Sequence, residues 1–238
     1  LLYFLECAKA HSGDADPVEM ICEIISRERT KVRSLSGKSY QAHQAVSERA
    51  VVSFIESIKL TPEWTTALET SDPEGECLKL MRERFQWPPT GRDDDDDYER
   101  ERGDELVRKL VEKAKNRHGQ HFGKIHSTWS KFIGLSSRRL ARGNRYAPND
   151  RLLKTLVVTV VDERMQFDEF LHELRRRYGM VIGDAEGAHL VKQNLVDQEA
   201  LSENRSHLEA RLLGLGLVRR LSDSCSFVEN PFANEGND

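Results

Sequence analysis

The chain has 238 residues, 32% of them charged and 38% apolar, and a formal net charge of −4. That length can bury one large core or two small ones, and no apolar run approaches the ~20 residues of a membrane-crossing helix. Its four cysteines, Cys7, Cys22, Cys77 and Cys225, form no C-x-x-C pair, which argues against a disulfide framework or a cysteine zinc module and for a reducing, cytoplasmic setting.

The first residue is Leu1 and no secretory signal follows, as expected of a chain that begins partway into a larger product. Three proline-led helix starts mark the front block: Asp16-Pro17, Thr61-Pro62 and Asp72-Pro73. In each, a short oxygen-bearing side chain can cap free N–H groups and Pro fits the first helical position. Glu19 stands three after Asp16 in the manner of a capping box, and Val18, Ile21, Cys22 and Ile25 keep helical spacing behind it. A second apolar stripe, Val51, Phe54, Ile55 and Ile58, ends before Thr61. Residues 1–88 therefore read as an all-α domain, its cysteines core-facing. Residues 89–103, which contain Asp93 to Asp97, read as an acidic, solvated linker.

Charge is unevenly spread. Residues 1–103 hold 14 Lys and Arg against 21 Asp and Glu, residues 104–150 hold 11 against 4, and residues 151–238 hold 11 against 15. The basic segment 104–149 opens with apolar residues at helical spacing from Leu106 through Trp129 and Phe132. That spacing predicts one long helix, either continuous or kinked or broken near 119–123, where Gly119 and Gly123 weaken it. On a continuous helix His121 and His126 point about 140° apart, so His118, His121 and His126 are not expected to share a metal ion unless the glycines break it, and no matched acidic or cysteine ligand lies close by in sequence.

Next come Arg138, Arg139, Arg142 and Arg145, interleaved with Ser, Gly and Asn and followed by Tyr146. Forked donors, a close-approaching backbone and a stacking ring suit a phosphate-contacting turn. The same residues also suit a solvated basic turn paired with the acidic front block.

In the last ninety residues, Pro148-Asn149-Asp150 starts a segment that reads as a helix or a buried strand around Val157 to Val161. Phe167, Phe170, Leu171, Leu174 and Tyr178 then form a helical stripe, with acids at its start, Arg175 to Arg177 at its end and Gly179 beyond. A short helix near 185–193 and a longer one over 198–213 follow, then a hairpin over 217–229. Residues 232–238 form a tail.

The order helix, short strand, helix, helix, hairpin over 150–231 resembles a winged-helix domain, a helix-turn-helix variant. The resemblance implies a third helix that enters the major groove and a wing that touches the backbone. Carried over, the groove face of 198–213 shows Ser202, Glu203, Ser206, His207, Glu209 and Ala210, a poor match to phosphates, whereas Arg219 and Arg220 of the wing suit them. A protein-docking role fits this face at least as well.

The expected fold class is mainly α: a helical N-terminal domain, a long basic helix and a winged-helix-like tail with a small β-hairpin. The texture resembles accessory subunits of prokaryotic DNA-processing or anti-phage defence assemblies. It implies a non-catalytic, cofactor-free subunit that joins protein partners and contacts DNA or RNA through Arg138, Arg139, Arg142, Arg145, Tyr146, Arg219 and Arg220. One alternative is a metal-dependent nuclease drawing acids from Asp162, Glu163 or the front block, although no nucleophile motif or phosphate-cradling glycine loop is present. The other is a purely structural protein.

Overall fold

The computed structural model describes residues 1–25, 31–89, 98, 100–139, 143–222 and 225–233, without the side chain of Arg139. The Asp93 to Asp97 run, Arg142, the 223–224 turn and the end of the tail lie outside them. In chain order the described elements are α1 (Leu2–His11), β1 (Met20–Ile21), α2 (Val32–Glu56), α3 (Pro62–Leu68), α4 (Pro73–Phe85), α5 (Gly103–Gln120), α6 (Ile125–Phe132), β2 (Ser136–Arg139), β3 (Gly143–Tyr146), α7 (Asp150–Val160), β4 (Arg164–Gln166), α8 (Phe167–Tyr178), β5 (Met180–Val181), α9 (Ala188–Lys192), α10 (Gln198–Gly214), β6 (Val218–Ser222) and β7 (Cys225–Glu229). The chain is mainly α-helical. No helix among the described residues is long and apolar enough to cross a membrane.

Packing separates the chain into two units. One holds Leu5–Asp16 and Ala45–Ile125, the other Leu1–Phe4, Pro17–Gln44 and His126–Asp238. Neither matches the consecutive segments read from charge and linker composition, because that reading saw only local pattern.

In the first unit, Thr61 Oγ1 accepts the N–H of Trp64 at 3.4 Å and Asp72 Oδ1 accepts that of Gly75 at 3.1 Å. Two of the three proline-led starts therefore open helices as their caps dictate. Their apolar faces meet Leu106 and Val107 of α5, together with Ile55, Ile58, Trp64, Cys77, Leu78, Met81 and Trp87. The basic helix is thus not a free connector: its apolar edge completes this core, and Lys59 holds Asp104 at its start at 2.9 Å. The helix breaks within the stretch that Gly119 and Gly123 weaken. It ends at Gln120, and His121, at φ −123° and ψ −77°, breaks it before α6.

In the second unit, the third proline-led start forms no helix, and the all-α reading of the front block is corrected there. Asp16 donates its N–H to Asp14 Oδ1 at 3.1 Å, and residues from Pro17 run extended. Met20 N–H donates to Gly179 O at 2.7 Å, Cys22 to Val181 O at 2.9 Å, Glu23 to Tyr146 O at 2.9 Å and Ile24 to Asn204 Oδ1 at 2.8 Å. Partners more than a hundred residues away replace the bonds a local helix would make, and β1 pairs in parallel with β5. Gly179, at φ +66°, makes the approach possible: a Cβ there would lie 2.2 Å from Val18 O.

Asn149 caps α7 through Leu152 N–H at 2.9 Å, so Val157 and Val160 are helical rather than a strand. α8 carries its acids in the first turn and three arginines in the last. β4, β7 and β6 form an antiparallel sheet in the order β4-β7-β6. Residues 150–231 do not close on themselves, however. Their strand β5 takes its partner from β1, and buried Asn204 of α10 donates to Cys22 O at 3.0 Å and Ile182 O at 2.9 Å.

Candidate nucleic-acid interface

The basic turn is a β-hairpin. β2 and β3 pair antiparallel, with Ser136 opposite Tyr146, Ser137 opposite Arg145, Arg138 opposite Asn144 and Arg139 opposite Gly143. Directly opposed residues share a face and the face alternates along each strand. Arg138 and Asn144 therefore share one side with Tyr146, and Arg145 points to the other.

Burial, greater at the Arg145–Tyr146 end of β3 than at Gly143, divides the expected phosphate ligands. Arg145 is only 3% exposed and pairs through Nε with Glu23, itself fully buried and held at 2.7 Å by Arg33. Tyr146 is fully buried, so it is not a stacking ring for an incoming base. Its hydroxyl lies 2.8 Å from His43 Nδ1 and 2.7 Å from His126 Nε2. A phenol has one proton, so one imidazole accepts it while the other donates its N–H to the phenol oxygen. Burial drops His126 from 6.5 to about 4 and raises Tyr146, which keeps both neutral. Both residues depart from the expected surface position although they take opposite sides of β3, because the end of the hairpin next to Ala147 is buried on both sides, which an arginine- and tyrosine-rich run does not reveal. Arg138 is exposed as expected. Arg219 and Arg220 are exposed on β6, in a different sheet, and Arg220 lies 3.5 Å from Glu209.

Beside Arg138 lies a groove of about 1020 Å³, lined by Ser127, Thr128, Lys131 and Phe132 of α6, by Ser136, Ser137, Arg138 and Asn144 of the hairpin, and by Tyr40. The turn from α6 into β2 sets its width. Leu135 N–H donates to Ser130 O at 2.8 Å, the Ser130 and Ser136 hydroxyls meet at 3.0 Å, and Asn149 N–H donates to Gly134 O at 2.9 Å. Gly134 takes φ +80°, and a Cβ there would lie 2.4 Å from the Asn149 side chain. At the floor, Tyr40 Oη lies 3.4 Å from Ser130 Oγ and accepts from Asn144 Nδ2 at 3.5 Å. Among the described residues the lining holds two cations and no carboxylate. Among the described residues neither Lys131 nor Arg138 has an ion-pair partner.

Lys131 and Phe132 were not singled out as site residues. A signal lay in α6 itself: once the helix breaks at His121, the sequence Ile-His-Ser-Thr-Trp-Ser-Lys-Phe places His126 and Ser130 on one face and Trp129 and Phe132 on another.

The three histidines do not meet as a group. His118 lies in the other unit with its Nε2 2.9 Å from Ser47 Oγ, His121 is exposed and His126 bonds Tyr146. Asp162 and Glu163 are exposed, and their carbonyls accept from Asn230. Among the described residues no three His, Cys, Asp or Glu side chains are grouped to hold a metal ion.

Residues 95–228, more than half of the chain, match the family model described as Methylation-associated defense system protein MAD7. No curated protein and no solved structure matches the chain.

Proposed function

The chain belongs to the family of methylation-associated defense system protein MAD7, and from that premise we propose that it is a non-catalytic subunit of a cytoplasmic anti-phage assembly, contacting nucleic acid and joining protein partners. One observation carries the nucleic-acid reading: the α6–hairpin groove holds Lys131 and Arg138 among hydroxyls and an amide, with no carboxylate. Such a lining favours phosphate oxygens, which accept from ammonium, guanidinium and hydroxyl donors alike. Net acidity elsewhere does not oppose it, since screening at physiological salt limits each charge to about 8 Å.

Residues 150–231 are read as a winged-helix-like body, on the order α7, β4, α8, α9, α10 and a terminal hairpin whose strand β7 pairs with β4. Glu203 and the serines Ser202 and Ser206 are exposed on α10. A carboxylate there opposes phosphates where a reading helix would meet them, which favours a protein partner on this face. Arg219 of the terminal hairpin adds a further phosphate contact.

The test is the salt dependence of binding to labelled oligonucleotides. Lys131→Ala and Arg138→Ala each weaken binding and flatten the slope of log affinity against log salt by roughly 0.7 to 0.9. Arg145→Ala lowers folding stability instead and leaves the slope unchanged. Absence of binding at low salt, or a slope that neither groove variant moves, would return the protein to a purely structural role. Metal-dependent cleavage of the same strands, lost in Asp162→Asn or Glu163→Gln, would favour the nuclease alternative.

A further inference from the structure

We propose that the strand taken by this groove is single-stranded, with a base stacked on Phe132 while Lys131 and Arg138 follow its backbone. The inference rests on the nucleic-acid reading above and adds the class of strand.

Its starting point is that α6 is inside out. The residues it buries are His126, 1% exposed, and Ser130, fully buried, whereas Trp129 is 46% and Phe132 76% exposed. A surface helix ordinarily turns its apolar stripe inward. Here the polar face is pinned by His126 to Tyr146, by Ser130 to Ser136 and by the Leu135 N–H to Ser130 O. The helix cannot roll to hide its rings without leaving those buried groups unpaired. Trp129 is partly supported by Phe4, their ring centroids 6.1 Å apart at 67°. Phe132 instead forms part of the groove wall, one residue from Lys131 and facing the strand that carries Arg138.

The juxtaposition selects the strand class. In a duplex both faces of each base are covered by their neighbours, and a ring in a groove wall finds only edges, sugars and phosphates. A single strand offers a π-face at every nucleotide, and proteins that hold it without sequence preference combine cations along the backbone with aromatic platforms. Two cations without ion pairs and no carboxylate in the lining, among the described residues, argue for a polyanionic occupant over an apolar protein surface. The Thr128 and Ser137 hydroxyls in the lining supply further donors to phosphate and sugar oxygens. Deoxyribose and ribose strands share this chemistry, so both are probed.

The experiment uses the full chain with end-labelled oligo(dT), oligo(U) and a mixed-sequence DNA duplex of equal length, followed by fluorescence anisotropy and tryptophan emission. Trp64 and Trp87 are only 3% and 7% exposed, so quenching by a single strand reports Trp129, and Trp129→Phe removes it. Either single strand binds more tightly than the duplex, and their order identifies DNA or RNA. Phe132→Ala weakens single-strand binding by about tenfold with the salt slope unchanged, because no charge is removed, and Phe132→Trp restores it. Phe132 is exposed enough for both variants to fold. If the duplex binds as tightly and Phe132→Ala alters neither strand class, the single-strand inference is overturned while the groove reading stands. If no strand of any kind binds, both fall together.

Discussion

Arg138 and Arg145 occupy one hairpin and do opposite work. One stands in a groove wall and has no counter-ion among the described residues, and the other is buried against Glu23 beside Arg33. Composition alone made them equivalent; the two-residue period of a strand separates them. The buried polar cluster beyond Tyr146 has a consequence that can be measured. His126 is buried as a neutral imidazole, its pKa lowered from 6.5 to about 4 by loss of hydration. Its stabilising contribution is complete above pH 6.5, where neither folded nor unfolded chain protonates it. As the pH falls below 6.5 the unfolded chain takes up a proton that the folded chain refuses, until about pH 4. At about 1.4 kcal/mol per pKa unit, on the order of 3 kcal/mol is lost across that window. Urea unfolding at pH 7 and pH 4.5 should show the fall, and His126→Gln should reduce it. An unchanged midpoint in the wild-type protein would contradict the burial of this ring.

Among the elements, those whose signals are local form where the sequence places them. α3, α4 and α7 are capped by a hydroxyl, a carboxylate and an amide of their own first residues, and α8 by its charged ends and the left-handed Gly179, none of which needs a distant partner. The Asp16-Pro17 start carries an equally good local signal and fails, because Met20 to Ile24 find backbone and Asn204 partners across the fold. That exchange depends on Gly179. Gly179→Ala would force a Cβ into a left-handed backbone and against Val18 O, at a cost of about 2 kcal/mol or more. Its thermal unfolding should shift down and the Cys22 thiol should become reactive to a bulky reagent in the folded protein, since Cys22 is fully buried in the wild type. Wild-type stability with a protected thiol would show that β1 does not need the close approach.

For the whole molecule, the division into Leu5–Asp16 with Ala45–Ile125, and Leu1–Phe4 with Pro17–Gln44 and His126–Asp238, makes a specific expectation about truncation. A fragment spanning 126–233 lacks β1, so Gly179 O and Val181 O lose their partners, and Asn204 loses Ile24 N–H and Cys22 O and keeps Ile182 O. The apolar cluster of Val181, Leu190, Val196 and Leu201 also loses Ile21 and Val32. Buried unpaired groups cost about 1–3 kcal/mol each, enough to exhaust the stability of a small body. The fragment should unfold without a cooperative transition, and a synthetic peptide covering 17–44 should restore one. A sharp transition in the fragment alone would identify the tail as an independent domain.

The sequence by itself determined the mainly helical class, the helices α3, α4, α8 and α10, the terminal hairpin and the basic character of 104–150. These rest on spacing, caps and charge, all of which act within a few residues. Only the tertiary structure decided that residues 17–25 are extended, that α5 belongs to the core of the helical unit, and that Arg145 and Tyr146 face inward. Each of those outcomes depends on a partner far along the chain: Gly179 and Asn204 for the first, Trp64 and Cys77 for the second, Glu23 and His43 for the third. The groove belongs to the same class. Its Phe132 reads as a core position while the helix is taken as continuous from Asp104, and becomes a surface ring once His121 breaks that helix and the Tyr146 hydroxyl fixes which face of α6 turns inward.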